Sequence, residues 1–206
     1  MVNLNSINGA ALYLQYFQTL LVGKFKKDLV GVEMGIAYGG GVESLGTIWR
    51  DVGTVYGFDT FEGHPEFLAD DHMGIEARCM DKWYRDDMFG RKALTYEFQR
   101  NQLDSEGLTN VKLVKGIVSP DSCRTIPKIH YCLLDMDILE SMKTGYEAVK
   151  DKMVEGGYLF IHDAIPADHI PALHNWWYNE VMSNSPNLKV IGEWNGSFLV
   201  GVEIIK

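Results

Sequence analysis

The stretch VGVEMGIAYGGGVES, residues 30–44, runs from an apolar segment through Glu33 into three consecutive glycines and then into a helical pattern. The apolar segment reads as a buried strand, and the glycines as a turn whose backbone must stay bare enough for a ligand to approach. A helix that opens after such a turn offers free N–H groups at its first turn, a place where nucleotide-type ligands are held. Strand, glycine loop and helix together announce an α/β fold.

The same alternation continues outward. A helical period covers residues 10–25, with Leu12, Tyr16 and Leu20 and, one step on, Leu14, Phe17 and Leu21 forming a wide apolar face. LVGVEM, GTVYGFD, NVKLVKG, IHYCLLDMD and GGYLFIHDA read as five strands. Between them lie helical patterns in GGVESLGTIWR, near residues 93–103 and in ESMKTGYEAVKDKM, and another follows at residues 167–183. The tail LKVIGEWNGSFLVGVEII places Asn-Gly between two apolar runs, the signal of a two-residue hairpin. Near-continuously apolar strands alternating with helices predict a doubly wound, mostly parallel sheet, here closed by an antiparallel C-terminal hairpin. Ligands of such sheets lie beyond the carboxyl ends of the strands. That places the site at residues 33–41, 59–63, 116–119, 135–140 and 162–165, each a polar or glycine-rich cluster.

Composition agrees with one globular domain: 206 residues, 46% hydrophobic and 23% charged, with six prolines and no repeat or low-complexity tract. A formal charge of −9, with Lys24, Lys26 and Lys27 as the one short cationic run, argues against a nucleic-acid partner. The first apolar segment is broken by Gln15 and Gln18 and is too short to span a bilayer. No cationic residue precedes Lys24, so a signal-peptide n-region is not read, and Cys79, Cys123 and Cys132 lack CxxC spacing. A cytoplasmic protein without a membrane partner is the expectation, and the apolar N-terminal helix leaves a homo-oligomer open.

Glu33 narrows the ligand. A dinucleotide loop wants G-x-G-x-x-G, and the register here gives Gly35, Ala37 and Gly40. A carboxylate at the strand end opposes an anionic pyrophosphate but favours a ligand bearing an ammonium and a sulfonium. Glu33, with Gly35, Tyr38, Gly39 and Gly40 in the loop, therefore favours S-adenosylmethionine over NAD(P). Asp59, at the end of the second strand, suits the hydroxyls of an adenosine ribose, whichever cofactor carries it.

Four segments, LVGVEMGIAYGGG, YGFDTFEGHPE, GLTNVKLVKGIVSP and CLLDMDILESMKTGYEAVKDKMVEGGYLFIHDA, carry a closer likeness. In their order and spacing, from about residue 28 to 165, the chain resembles class I S-adenosylmethionine-dependent methyltransferases of the macrocin/mycinamicin sugar O-methyltransferase group. The resemblance implies a seven-stranded Rossmann-like fold with an antiparallel last strand. It implies that Glu33, Gly35 and Gly39 follow the methionine part of the cofactor, that Thr60 and Phe61 lie beside the adenosine, and that Gly116 and Ile117 flank the adenine. It also implies a divalent ion, magnesium in that group, on a fourth-strand Asp and an acidic pair after the fifth strand. Those positions are Asp135, His162 and Asp163 here, so one carboxylate is an imidazole. That change suits manganese or a softer ion better than magnesium, or a site without metal.

Methyl transfer to a hydroxyl needs alignment and a proton acceptor. His162 is the first candidate for base or metal ligand, Asp137 its partner or the alternative base, and His169 and His174 follow. DMDILES holds no lysine of the catechol-methyltransferase kind. Plainer roles exist for several of these residues. Asp137 and Glu140 have capping-box spacing, with Ser141 as a further cap, and one indole of Trp176–Trp177 points away from the core. Residues 64–108 are expected to form a lid over the acceptor pocket. A nucleotide-dependent oxidoreductase and a non-catalytic S-adenosylmethionine-binding domain are the rival functions.

Overall fold

The computed structural model describes residues 7–63 and 95–205. Seven strands, β1 (Leu29–Met34), β2 (Gly53–Asp59), β3 (Val111–Lys115), β4 (Ile129–Leu134), β5 (Met153–His162), β6 (Leu188–Trp194) and β7 (Leu199–Ile204), form one sheet. Their order is β3-β2-β1-β4-β5-β7-β6, parallel through the first five and antiparallel on both sides of β7. The chain winds outward from β1 to β3 and then restarts at β4 on the other side, so the crevice between β1 and β4 is the switch point.

Helices cover both faces. On one lie α1 (Ile7–Phe25), α2 (Gly40–Ile48) and α3 (Tyr96–Ser105), packed over Leu29, Val55, Tyr131, Leu133 and Phe160. On the other lie α4 (Leu139–Val149) and α5, which begins at Pro171–Asn175 and continues as a π-helix over Trp176–Val181; both pack over Val32, Met34, Cys132, Leu134 and Ile161. Every residue of β4 is buried, which is why its sequence reads as an unbroken apolar run rather than an alternation. No helix among the described residues is long and apolar enough to cross a membrane.

Local details depart from the sequence reading. Only the Phe17 and Leu21 side of α1 enters the core, while Leu12, Tyr16 and Leu20 are exposed, because the expected face is wider than the surface the sheet presents. Trp176 and Trp177 are both buried, with Tyr146 edge-on to each at 5.9 and 6.2 Å. The π-turn changes the helical spacing there, so neither indole is left outside for an acceptor. The Asn-Gly hairpin is not a two-residue turn. Residues 195–198 make the connection, with Asn195–Ser197 in a 3-10 turn and Phe198 left-handed at φ 53°. Of the segment expected to form a lid, residues 64–94 lie outside the described residues. The rest includes α3, whose Leu103 is buried in the core.

The strand ends are tied to one another. Gly35 N donates to Phe58 O, Asp135 N to Met34 O and Gly116 N to Asp59 O, each at 2.9 Å. Gly35 has no substitute: its φ is +84°, and a Cβ there would stand 1.8 Å from the Asp135 carbonyl oxygen. Gly35→Ala should cost about 2 kcal/mol or more, lowering Tm by roughly 4–8 °C in a chain of this size. Thermal unfolding followed by circular dichroism checks this, and an unchanged Tm would show that the β1–β4 approach is slack.

Candidate active site

Left-handed residues that carry a Cβ mark the ends of four strands: Ala37 (φ 44°), Phe61 (56°), Asp137 (61°) and Asp163 (61°). Such conformations cost on the order of 1–3 kcal/mol each and collect where geometry serves a site. Each turns the chain sharply at the carboxyl edge of the sheet, and the buried carboxyls of the described residues, Glu33, Asp137 and Asp163, lie there.

The first group surrounds the glycine loop. Glu33 is 5% exposed, and its carboxyl lies under the first turn of α2, where a Cβ on Gly41 would come within 2.3 and 2.4 Å of its two oxygens. Burial, then Asp135, then Asp59 push its pKa up to about 8. The α2 N-terminus favours a negative charge, but it does not offset those three effects.

Asp59 holds the loop. It accepts from Ala37 N at 3.1 Å through Oδ2 and from Phe61 N at 2.8 Å through Oδ1. From the other side the Gln99 amide of α3 donates to the Ala37 carbonyl, and a Cβ on Gly39 would meet Gln99 Oε1 at 2.9 Å. Gln99 is a residue the sequence gave no reason to select, since its helix lies 60 residues further along in a charged segment. Tyr38 is exposed beside the loop. Side chains added at Gly40 or Gly116 would meet nothing among the described residues, so the backbone is open at both. Ile117, 72% exposed, is the apolar surface offered beyond β3. The Thr60 hydroxyl is turned to the Gly63 carbonyl, and the Phe61 ring packs edge-on against Tyr96 at 5.3 Å within the core. Phe61 thus contributes a fixed backbone rather than a free ring.

The second group stands beyond β4 and β5. His162 Nδ1 lies 2.9 Å from Asp135 Oδ1 and 3.0 Å from Asp163 Oδ2, aligned for a hydrogen bond with neither. Burial lowers the His162 pKa, but the two carboxylates outweigh it and raise it well above the ordinary value. Asp163 is itself buried, which pushes its pKa up; the His162 contact, a hydrogen bond from His169 and one shared with Asp137 prevail and hold it low. Asp137 is also buried, and it does not cap α4, whose N-cap is Ile138 with no side-chain cap. The capping-box spacing of Asp137 and Glu140 is therefore not used. His174 Nδ1 is 2.9 Å from the Ala164 carbonyl, away from this group.

One donor atom each from Asp135, His162 and Asp163 lies within 4.8 Å of the others, so these residues could hold a divalent ion. Two ligands at right angles on an ion about 2.1 Å away stand about 3.0 Å apart, close to the 2.9 and 3.0 Å seen around His162. Mixed carboxylate and imidazole donors suit manganese, iron, cobalt, nickel or zinc better than magnesium.

The sequence matches no family model and no curated protein. The fold does have counterparts among solved structures. The O-methyltransferase NovP is similar over 94% of this chain and 78% of its own, at 20% identity and a TM-score of 0.73. CalS11, the calicheamicin methyltransferase also described as a TDP-rhamnose 3'-O-methyltransferase, is similar over 94% and 77%, at 19% identity and 0.68. A rRNA methylase from Streptococcus thermophilus is similar over 87% and 89%, at 15% identity and 0.54. The chain has the Rossmann-like methyltransferase fold, as the motif resemblance implied.

The protonated Glu33 has a consequence that needs no ligand. Its folded pKa is raised above the unfolded value of about 4.3, so the stability it contributes is full below pH 4 and is lost as pH rises toward about 8. Glu33→Gln, which stays neutral, should narrow the difference in Tm between pH 5 and pH 8. Parallel curves for the two proteins would show that Glu33 is ionised throughout.

Proposed function

We propose that the protein is an S-adenosylmethionine-dependent methyltransferase acting on a hydroxyl of a sugar or another small metabolite, with a divalent ion on Asp135, His162 and Asp163. The observation that carries this is Glu33, a nearly buried carboxyl at the switch point with Asp59 and Asp135 as its charged neighbours. A pyrophosphate would be repelled by Asp59 and Asp135 and would keep Glu33 protonated, whereas a cationic amino acid end is favoured by both and draws the proton off Glu33. An NAD-type oxidoreductase is disfavoured on that ground.

S-adenosylmethionine supplies an electrophilic methyl group, and a divalent ion supplies Lewis acidity toward an acceptor hydroxyl. The chain's own residues do the rest. Glu33 would hold the cationic end, Asp59 the ribose hydroxyls, and Ile117 would offer an apolar surface to the adenine. Asp135 lies between Glu33 and His162. His162 is assigned to ligation by its position, since its Nδ1 faces Asp135 and Asp163 oxygens at 2.9 and 3.0 Å, and a cation there would take the place of a ring proton. Asp137, which does not cap α4, is assigned as the base. The sugar-modifying assignment of CalS11 and the formal charge of −9 both support a small acceptor over an RNA.

Calorimetric titration with S-adenosylhomocysteine, with manganese or magnesium and again with chelator, tests the cofactor. The expected result is one-to-one binding with NAD silent. Repeating it near pH 7 in buffers of different ionisation enthalpy should reveal proton release as Glu33 ionises beside the ligand's ammonium. No heat under any condition overturns the proposal.

Asp137→Asn should lower kcat by 10²–10⁴-fold while leaving S-adenosylhomocysteine affinity unchanged. Full turnover in both this variant and His162→Ala ends the catalytic assignment. Binding without turnover on any sugar or small hydroxylated acceptor would favour a non-catalytic domain.

A further inference from the structure

Asp163 has two oxygens with different duties. Oδ2 is the one 3.0 Å from His162 Nδ1, facing the centre shared with Asp135. Oδ1 points the other way and lies 2.9 Å from His169 Nε2. A carboxylate rotates easily about its last bond, and at a metal centre both the angle of that rotation and the basicity of the inner oxygen are set by what binds the outer one.

His169 is itself held. Its ring stacks on Phe198 with centroids 3.9 Å apart and planes 11° from parallel, and its backbone N–H donates to Pro166 O at 3.0 Å. Phe198 is the left-handed residue that closes the β6–β7 connection, and its carbonyl accepts from Asp163 N at 2.8 Å. One residue of the hairpin thus fixes the Asp163 backbone and, through the His169 ring, the Asp163 side chain. Nothing in the sequence marks His169 for this task, since it sits in a loop six residues beyond Asp163 and its partner is 29 residues further still.

We propose that His169 is a positioning residue, which orients Asp163 by donating from Nε2 to Oδ1 and so presents Oδ2 to a divalent cation at the Asp135–His162–Asp163 centre. The inference rests on the cation reading above. His169 does not touch the reacting atoms in this role, and the Asp163 oxygen that faces it is turned away from the centre.

Two substitutions separate the hydrogen bond from the ring packing. His169→Phe keeps an aromatic ring against Phe198 and has no donor. His169→Gln reaches about as far as Nε2 with an amide N–H and gives up the stack. Cobalt(II) is the probe, followed by its visible absorption spectrum, with manganese(II) binding read by electron paramagnetic resonance. Neither measurement requires turnover.

His169→Phe should weaken cobalt and manganese binding by about 10- to 100-fold and alter the cobalt spectrum, while His169→Gln stays within about threefold of the wild type. Circular dichroism confirms that both variants are folded. Should His169→Phe not fold, His169→Leu, likewise without a donor, is read in the same way. A donor-less variant that binds like the wild type overturns the inference alone. So does a His169→Gln protein that loses as much as His169→Phe, because packing and not the hydrogen bond would then be the cause. A wild-type protein that binds neither metal overturns the cation reading first and this inference with it.

Discussion

Crowding of like charge at one edge of the sheet is the constraint to which the surrounding structure answers. Glu33, Asp59, Asp135, Asp137 and Asp163 all end at the carboxyl side of the parallel strands, with His162 and His169 as the imidazoles among them. Left to themselves such groups would move apart or turn to water. They are kept together because the strands that carry them are buried and stitched at their ends by backbone hydrogen bonds. Part of the repulsion is relieved by a proton on Glu33 and by the imidazoles of His162 and His169 beside Asp135 and Asp163. The remainder is what makes the crevice receptive to cations.

The two halves of the site handle this differently. Around the glycine loop, Asp59 and Gln99 hold the backbone from opposite sides, so the loop is shaped before any ligand arrives. Beyond β4 and β5, donors face one another with poor hydrogen-bond alignment, a geometry more natural around an ion than in its absence. Asp135 belongs to both, since it raises the Glu33 pKa on one side and contacts His162 on the other.

How much of this was legible in the sequence depended on whether the signal was local. Buried parallel strands announce themselves because each is a short apolar run, and their ends could be read off as the residues that follow. Glu33, Asp59, Asp135, Asp137, His162 and Asp163 were singled out that way, and the structure brings them to one edge of the sheet. Gln99 and His169 were not selected for the contacts they make, because their partners are 62 and 6 residues away and depend on how α3 and the loop after β5 pack. The capping reading of Asp137 failed because the helix starts two residues later, at Leu139. The outward indole failed because a π-turn changes the spacing that a regular helix would impose. The turn at Asn195 was misjudged because Asn-Gly signals a tight reversal but does not limit it to two residues.

Placement of β7 has a consequence for how the molecule comes into being. Although it follows β6 in the chain, it lies between β5 and β6 in the sheet, and Phe198 immediately before it supplies contacts to both Asp163 and His169. During synthesis, the first five strands can pair as they emerge, and β6 must wait beside a gap until residue 199 and its successors arrive. The glycine loop can therefore be complete while the cluster around Asp163 is not. A nascent chain stalled before β7 would carry a formed glycine loop next to an unfinished cluster around Asp163. The order of the strands thereby dictates that the two halves of the site mature in sequence.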